Sequence, residues 1–157
     1  MNKYVYFHGF RGQFWPSLAQ LEPHFLAPNG SQWVRGGNDS WGSSVQGLEG
    51  TEEKLFGRGR KDINLDLWGI PDVGVLIIYD KIGPPGFRDA FTSKGDMSRL
   101  SELVFSLHDT PLPVGLFIPF PKAWLAVKEF METEGQLPES IEWVRNADLP
   151  PNTFPDP

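Results

Sequence analysis

The sequence predicts an α+β domain, a largely antiparallel sheet with one main C-terminal helix packed on a face and a loop-rich N-terminal part. Three observations carry that expectation. "DINLDLWG" (62–69) alternates Ile63, Leu65 and Leu67 with Asn64 and Asp66, the period of a half-buried strand. "VGVLIIYD" (73–80) is apolar on both faces, which suits a central strand covered from both sides. "PKAWLAVKEFMETE" (121–134) places Ala123, Ala126, Val127 and Phe130 at i, i+3, i+4 and i+7, one apolar face of a helix.

In chain order, "KYVYFHGF" (3–10) suits a short strand. "SLAQLE" (17–22) offers Ser17 and Gln20 as a capping box, and Pro23 is expected to stop that helix within two turns. "VRGGNDSWGSSVQGLEG" (34–50) has the composition of a loop. After the strand at 62–69, "IPD" makes a turn into the central strand, and Pro84-Pro85-Gly86 turns the chain into a returning strand, "FRDAFTS" (87–93), closed by Gly95. "ELVFSLHD" (102–109) fits either a strand or a helix end, and "VGLFIP" (114–119) fits a short strand. Pro121 suits the first turn of the main helix, Lys128 and Glu132 form an i,i+4 pair, and Gly135 provides the stop. "SIEWV" (140–144) returns as a last strand with Ile141 and Trp143 on one face and Glu142 on the other, before an extended, Pro-rich tail, "DLPPNTFPDP".

The totals bound the function. A chain of 157 residues, 39% apolar and 13% aromatic, fits one domain with one core. The absence of cysteine excludes disulfides, Cys-ligated zinc and thiol catalysis. The apolar run before His8 is too short for a signal peptide and "VGVLIIY" is too short to span a membrane, so a cytoplasmic protein without a membrane partner is expected. Net charge is −6: residues 1–60 carry six Lys/Arg against five Asp/Glu, and residues 61–157 carry eight against fifteen. No basic stripe of a nucleic-acid binder appears. An acidic C-terminal part instead suits a basic protein partner, with charge steering the encounter.

Candidate chemistries do not assemble. "FHGF" followed by "WGSSVQG" suggests a hydrolase using Ser43 or Ser44 with His8 or His108, but a nucleophile elbow needs G-x-S-x-G and here Gln46 stands where the second glycine belongs. His8, His24 and His108 lack the close spacing of zinc ligands. The pairs Glu52/Glu53, Glu132/Glu134 and Glu139/Glu142 suit exposed turns and helix faces better than a glycosidase cleft. "GRGRKD" (57–62) lacks the order of a phosphate-binding loop. No catalytic residue, metal or cofactor is expected. A non-catalytic scaffold using the Pro-rich tail is a further alternative to the hydrolase.

One pattern spans the second half: the "GVLIIY" strand, "FTSKGD", and then "FIP" leading to "AWLAVKEFMETEGQLPESIEW". Its order and spacing resemble the first family of immunity proteins from bacterial polymorphic toxin systems, small cytosolic proteins that neutralise a toxin made by the same cell or its sisters. The family's aliphatic strand, its Ser-Lys-Gly-Asp turn, its helix and its closing strand fall on Val75–Tyr79, Ser93–Asp96, Ala123–Phe130 and Pro138–Trp143. The resemblance covers roughly residues 61–145, leaving 1–60 as a variable Gly-rich part and 146–157 as the tail. It implies a proteinaceous inhibitor with no reaction of its own, whose partner is a cognate toxin acting on nucleic acid, a deaminase or a nuclease. The chain is not itself such a deaminase, because that chemistry needs H-x-E with P-C-x-x-C.

Under that resemblance "YDKIGPPGFRDAFTSKGD" (79–96) becomes a hairpin whose loop projects Asp80, Lys81, Phe87, Arg88 and Asp89 toward the partner. Phe and Arg are favoured at binding hot spots. Asp89, with Asp80 and Asp96 nearby, suits basic groups on a toxin, and Lys94 and Glu142 complete the candidate partner-binding set. Each has a plainer alternative: Asp96 after Gly95 suits a turn cap, and Tyr79, Trp124 and Trp143 suit the core.

Overall fold

Strand β4 (Gly74–Gly83) is the axis of the fold. A computed structural model of the protein describes residues 4–6, 16–33, 44–46, 62–83, 87–107 and 109–156. β1 (Tyr4–Tyr6) and β2 (Ser44–Gln46) pair as a separate two-stranded sheet, so a strand interrupts the stretch expected to be loop at 34–50. The main sheet has four antiparallel strands in the order β3 (Asp62–Ile70), β4, β5 (Phe87–Ser93) and β8 (Trp143–Arg145). β6 (Leu103–Phe105) and β7 (Pro111–Pro113) form a second small hairpin. The helices are α1 (Leu18–Leu26) and α2 (Phe120–Glu132). This is the expected α+β class.

The period-2 pattern of β3 translates directly into burial. Ile63, Leu65 and Leu67 are buried, and Asn64, Asp66 and Trp68 between them are half-buried. On β4, Val75, Leu76 and Ile77 are all fully buried, because both faces are covered. Val75, Ile77 and Tyr79 join α1, α2 and Trp33 in the larger cluster. Leu76 faces the other way, onto Leu112, Leu116 and Phe117. That second layer is the β6–β7 hairpin and the 3-10 turn after it, which no local pattern announces.

Helix α1 runs through Pro23, against expectation. Its capping box forms: the Ser17 N–H donates to Gln20 Oε1 at 2.8 Å and the Gln20 N–H to Ser17 Oγ at 3.2 Å. A proline inside a helix costs about 3 kcal/mol. Leu21 and Phe25 on the same helix are buried, Phe25 stacked on Trp124 with centroids 5.6 Å apart. Two such side chains contribute about 1.5–3 kcal/mol each, so packing outweighs the break.

One open alternative is resolved, α2 is closed by Gly135 as expected, and two other expectations change. "ELVFSLHD" resolves as strand β6, whereas "VGLFIP" is a 3-10 turn at Val114–Leu116 followed by a single bridge from Ile118 to Val75. α2 starts at Phe120 and ends at Glu132, and Gly135 at φ 100° closes it by donating to the Phe130 carbonyl at 2.9 Å. The tail is not extended: it makes a 3-10 turn at Asn146–Asp148 and a further turn in which the Thr153 N–H reaches the Pro150 carbonyl at 3.3 Å. Leu149 anchors it by packing against the second cluster.

Candidate partner-binding surface

The structure divides the expected contact residues between the two ends of β5. Asp80 and Lys81 on β4 lie beside Arg88 and Asp89 at one end. Lys94 and Asp96 follow β5 at the other end, next to Glu142. Lys94 is six residue steps from Arg88 along the strand, about 20 Å at 3.4 Å per residue. One compact site does not hold all of them. Phe87 lies in β5, and its side chain is outside the described residues, as are Pro84–Gly86, His8, Ser43, His108 and the basic run 57–61.

At the first end, the ladder continues through Gly83, so Asp80 is a strand residue and not a loop residue. It is opposite Asn64 on β3 and Ala90 on β5, and only 5% exposed. Arg88 Nε donates to Asp80 Oδ1 at 2.8 Å, and the Arg88 side chain is 62% exposed. That hydrogen bond, then the charge of Asp80, raises the Arg88 pKa, and Asp66 on the same face adds to it. Asn64 Oδ1, directly across from Asp80, is buried with no hydrogen-bond partner among the described residues. The two partners of the ion pair are therefore unequal. Arg88→Ala leaves a buried carboxylate uncompensated and is expected to cost about 1–2 kcal/mol, since solvent already screens the pair. Asp80→Asn returns an exposed guanidinium to water and is expected to cost less. Urea denaturation of both variants measures the order, and equal costs would contradict it.

Alternation sends Asp89 to the opposite face, where Arg145 Nη2 donates to Asp89 Oδ2 at 3.1 Å. Arg145 also lies over the Phe91 ring, 5.5 Å from its centroid, because β8 pairs Arg145 with Phe91. β8 stops there, and the edge of β5 beyond it, unpaired among the described residues, borders a cleft of about 240 Å³ lined by Arg88, Asp89, Ala90, Arg145, Asn146 and Ala147. Arg145 and Asn146 were missed in the sequence. Only the non-local β5–β8 register brings them beside Arg88 and Asp89.

The other end is built around the Ser93–Asp96 turn. The β4–β5 ladder ends at Ile78–Thr92, and the fully buried Ser93 takes over. Its Oγ accepts from the Ile77 N–H at 3.0 Å and donates to the Leu116 carbonyl at 2.7 Å. Ser93→Ala strands a buried N–H and a buried C=O, and is expected to lower stability by about 2–3 kcal/mol. A loss under about 0.5 kcal/mol in denaturant unfolding would contradict this. Gly95 donates to the Gly115 carbonyl at 3.0 Å. Asp96 caps the next 3-10 turn, accepting from the Ser98 N–H at 3.1 Å and the Ser98 hydroxyl at 2.6 Å. The Ser98 hydroxyl, first, and its N–H hold the Asp96 carboxyl below the ordinary value of 3.8, so this cap is complete above that pH and is lost as the pH falls below it. The Lys94 and Glu142 side chains are exposed, while the Lys94 N–H donates to the Glu142 carbonyl at 3.1 Å.

The aromatic alternatives hold. Tyr79 is buried and its hydroxyl donates to the Gly135 carbonyl at 2.8 Å. Trp124 is buried, and the half-buried Trp143 donates from Nε1 to the Pro138 carbonyl at 2.7 Å. Among the described residues, no group of His, Asp or Glu is arranged to hold a metal ion, and no helix is long and apolar enough to cross a membrane.

Comparison with known proteins places this framework. Residues 74–145, from the first residue of β4 to the last of β8, match the family model described as Immunity protein Imm1. Residues 61–73, included in the resemblance drawn from the sequence, lie outside the match. No curated protein and no solved structure matches the chain.

Proposed function

We propose, from the match of residues 74–145 to the family model described as Immunity protein Imm1, that this protein binds and neutralises a cognate bacterial toxin by occluding its active or substrate-binding site. The toxin is of a nucleic-acid-targeting class, a deaminase or a nuclease, and the inhibitor carries out no reaction of its own in the cytoplasm of the producing cell.

The observation that carries the reading is the family match, because it spans the whole scaffold from β4 through the Ser93–Asp96 turn and α2 to β8. Charge supports the toxin class. Residues 61–157 carry fifteen Asp/Glu against eight Lys/Arg, and a protein that grips nucleic acid offers a basic groove that an acidic surface complements. The contact set under this reading is Asp80, Lys81, Phe87, Arg88 and Asp89 at one end of β5 and Lys94, Asp96 and Glu142 at the other.

The test is capture of the partner. The tagged full chain, drawn from lysate of cells that express the toxin, is expected to carry one near-stoichiometric protein with a deaminase or nuclease signature. Co-expression of the chain is expected to rescue cells from that protein. A clean preparation under the same conditions overturns the proposal.

A further inference from the structure

Among the described residues, the β6–β7 hairpin has one closed edge and one open edge. The Val114 N–H donates to the Glu102 carbonyl at 2.8 Å and the Ser106 N–H to the Thr110 carbonyl at 3.0 Å. Bonded pairs alternate in an antiparallel ladder, so the remaining bonded pair is Val104 with Leu112, and the N–H and C=O of Leu103 and Phe105 point away from β7. Pro111 and Pro113 occupy the non-bonded positions opposite them, so β7 offers no N–H along its outer edge there. Proline is one of the devices that keep an edge strand from recruiting another chain. β6 has no such guard.

Its side chains make the same distinction. Val104 turns inward to the second cluster. Leu103 and Phe105, on the opposite face of β6 at period 2, are 39% and 62% exposed, and Leu107 in the turn that follows is 47% exposed. A row of large apolar side chains along an unguarded strand edge is the arrangement that natural sheets avoid unless something covers it.

Charge indicates the occupant. Residues 100–121 contain no Lys or Arg and carry Glu102 and Asp109 at the two ends of the strand. Glu102 is held by Arg99, Nε to Oε2 at 2.8 Å, from outside that stretch. Asp109 is exposed. A second copy presenting the same edge brings no Lys or Arg to Asp109, because its own residues 100–121 contain none. A basic strand supplies that charge.

We propose that β6 is a docking edge for an extended segment of the toxin, added as a third strand, with apolar side chains over Leu103, Phe105 and Leu107 and a Lys or Arg reaching Asp109. This rests on the immunity reading above. It adds a surface separate from the residues beside β5 and a mode of recognition through the backbone.

The experiment uses the toxin that the wild-type chain captures, purified in catalytically dead form, and measures its affinity for full-length variants. Phe105→Asp is expected to weaken binding about 30-fold or more, as for a central hot-spot residue. Phe105→Pro, which removes an outward N–H, is expected to weaken it as well, with the melting temperature of each variant measured alongside. Leu125→Asp, at a comparably exposed apolar position on α2, is expected to leave affinity unchanged. Capture by the wild type with affinity unchanged in both Phe105 variants overturns the docking edge and leaves the immunity reading standing. Failure of the wild type to capture any toxin overturns both. A free protein that is dimeric, and that Phe105→Asp makes monomeric without loss of toxin affinity, assigns the edge to a second copy and overturns the proposal.

Discussion

Replacing Gly95 with alanine is expected to cost about 3 kcal/mol or more, a large share of the 5–15 kcal/mol that holds a domain together. An alanine Cβ at this position falls 2.2 Å from the Phe117 carbonyl oxygen and 2.7 Å from that of Gly115. Both obstacles are backbone, so no rotamer change relieves them. The turn has to move away from residues 115–117, and that movement pulls apart the Gly95–Gly115 bond and the Ser93–Leu116 bond together. Alanine's smaller loss of backbone entropy on folding opposes this by only about 0.4–1 kcal/mol. Chemical denaturation of Gly95→Ala reads the difference directly. A variant within about 0.5 kcal/mol of the wild type would mean that the close approach of these two segments does not hold the turn.

Phe130→Ala is expected to be comparably severe, at about 3–5 kcal/mol. Phe130 is fully buried on the inner face of α2 and meets Tyr79 of β4 edge-on, with ring centroids 6.1 Å apart at 82°. Its carbonyl also receives the Gly135 N–H, and the Gly135 carbonyl receives the Tyr79 hydroxyl. The ring therefore sits where the helix, its closing glycine and the central strand are tied together. For a chain of this length, about 2–4 °C of melting temperature is lost per kcal/mol, so a fall of roughly 10 °C is expected. A fall under about 3 °C would show that the neighbours collapse into the space.

What the sequence disclosed follows from where each pattern resides. β3, β4 and α2 carry their periodicity within single elements, and each appears where the residues put it. α1 ends later than Pro23 suggests because the burial of Phe25 against Trp124 is a tertiary contact. β6 was ambiguous for a related reason: the alternation of Leu103 and Phe105 places them outward, where an amphipathic pattern is ordinarily read as facing inward. The Ser93–Asp96 turn stood out only by resemblance. The structure supplies its physics, with Ser93 finishing a ladder, Gly95 admitting two carbonyls and Asp96 capping a turn. Asp80 was expected on a loop because Pro84-Pro85-Gly86 marks a turn without marking how far the ladder climbs toward it. Arg145 was invisible, since only the β5–β8 register brings it to Asp89.

The proposed neutralisation of a toxin is by binding, one to one, without catalysis. Titrating the purified chain into its captured toxin while following the toxin's activity tests this most directly. Activity is expected to fall in a straight line and reach zero at one equivalent of inhibitor. Full activity at saturating excess, or complete loss at a small fraction of an equivalent, would contradict neutralisation by stoichiometric occlusion.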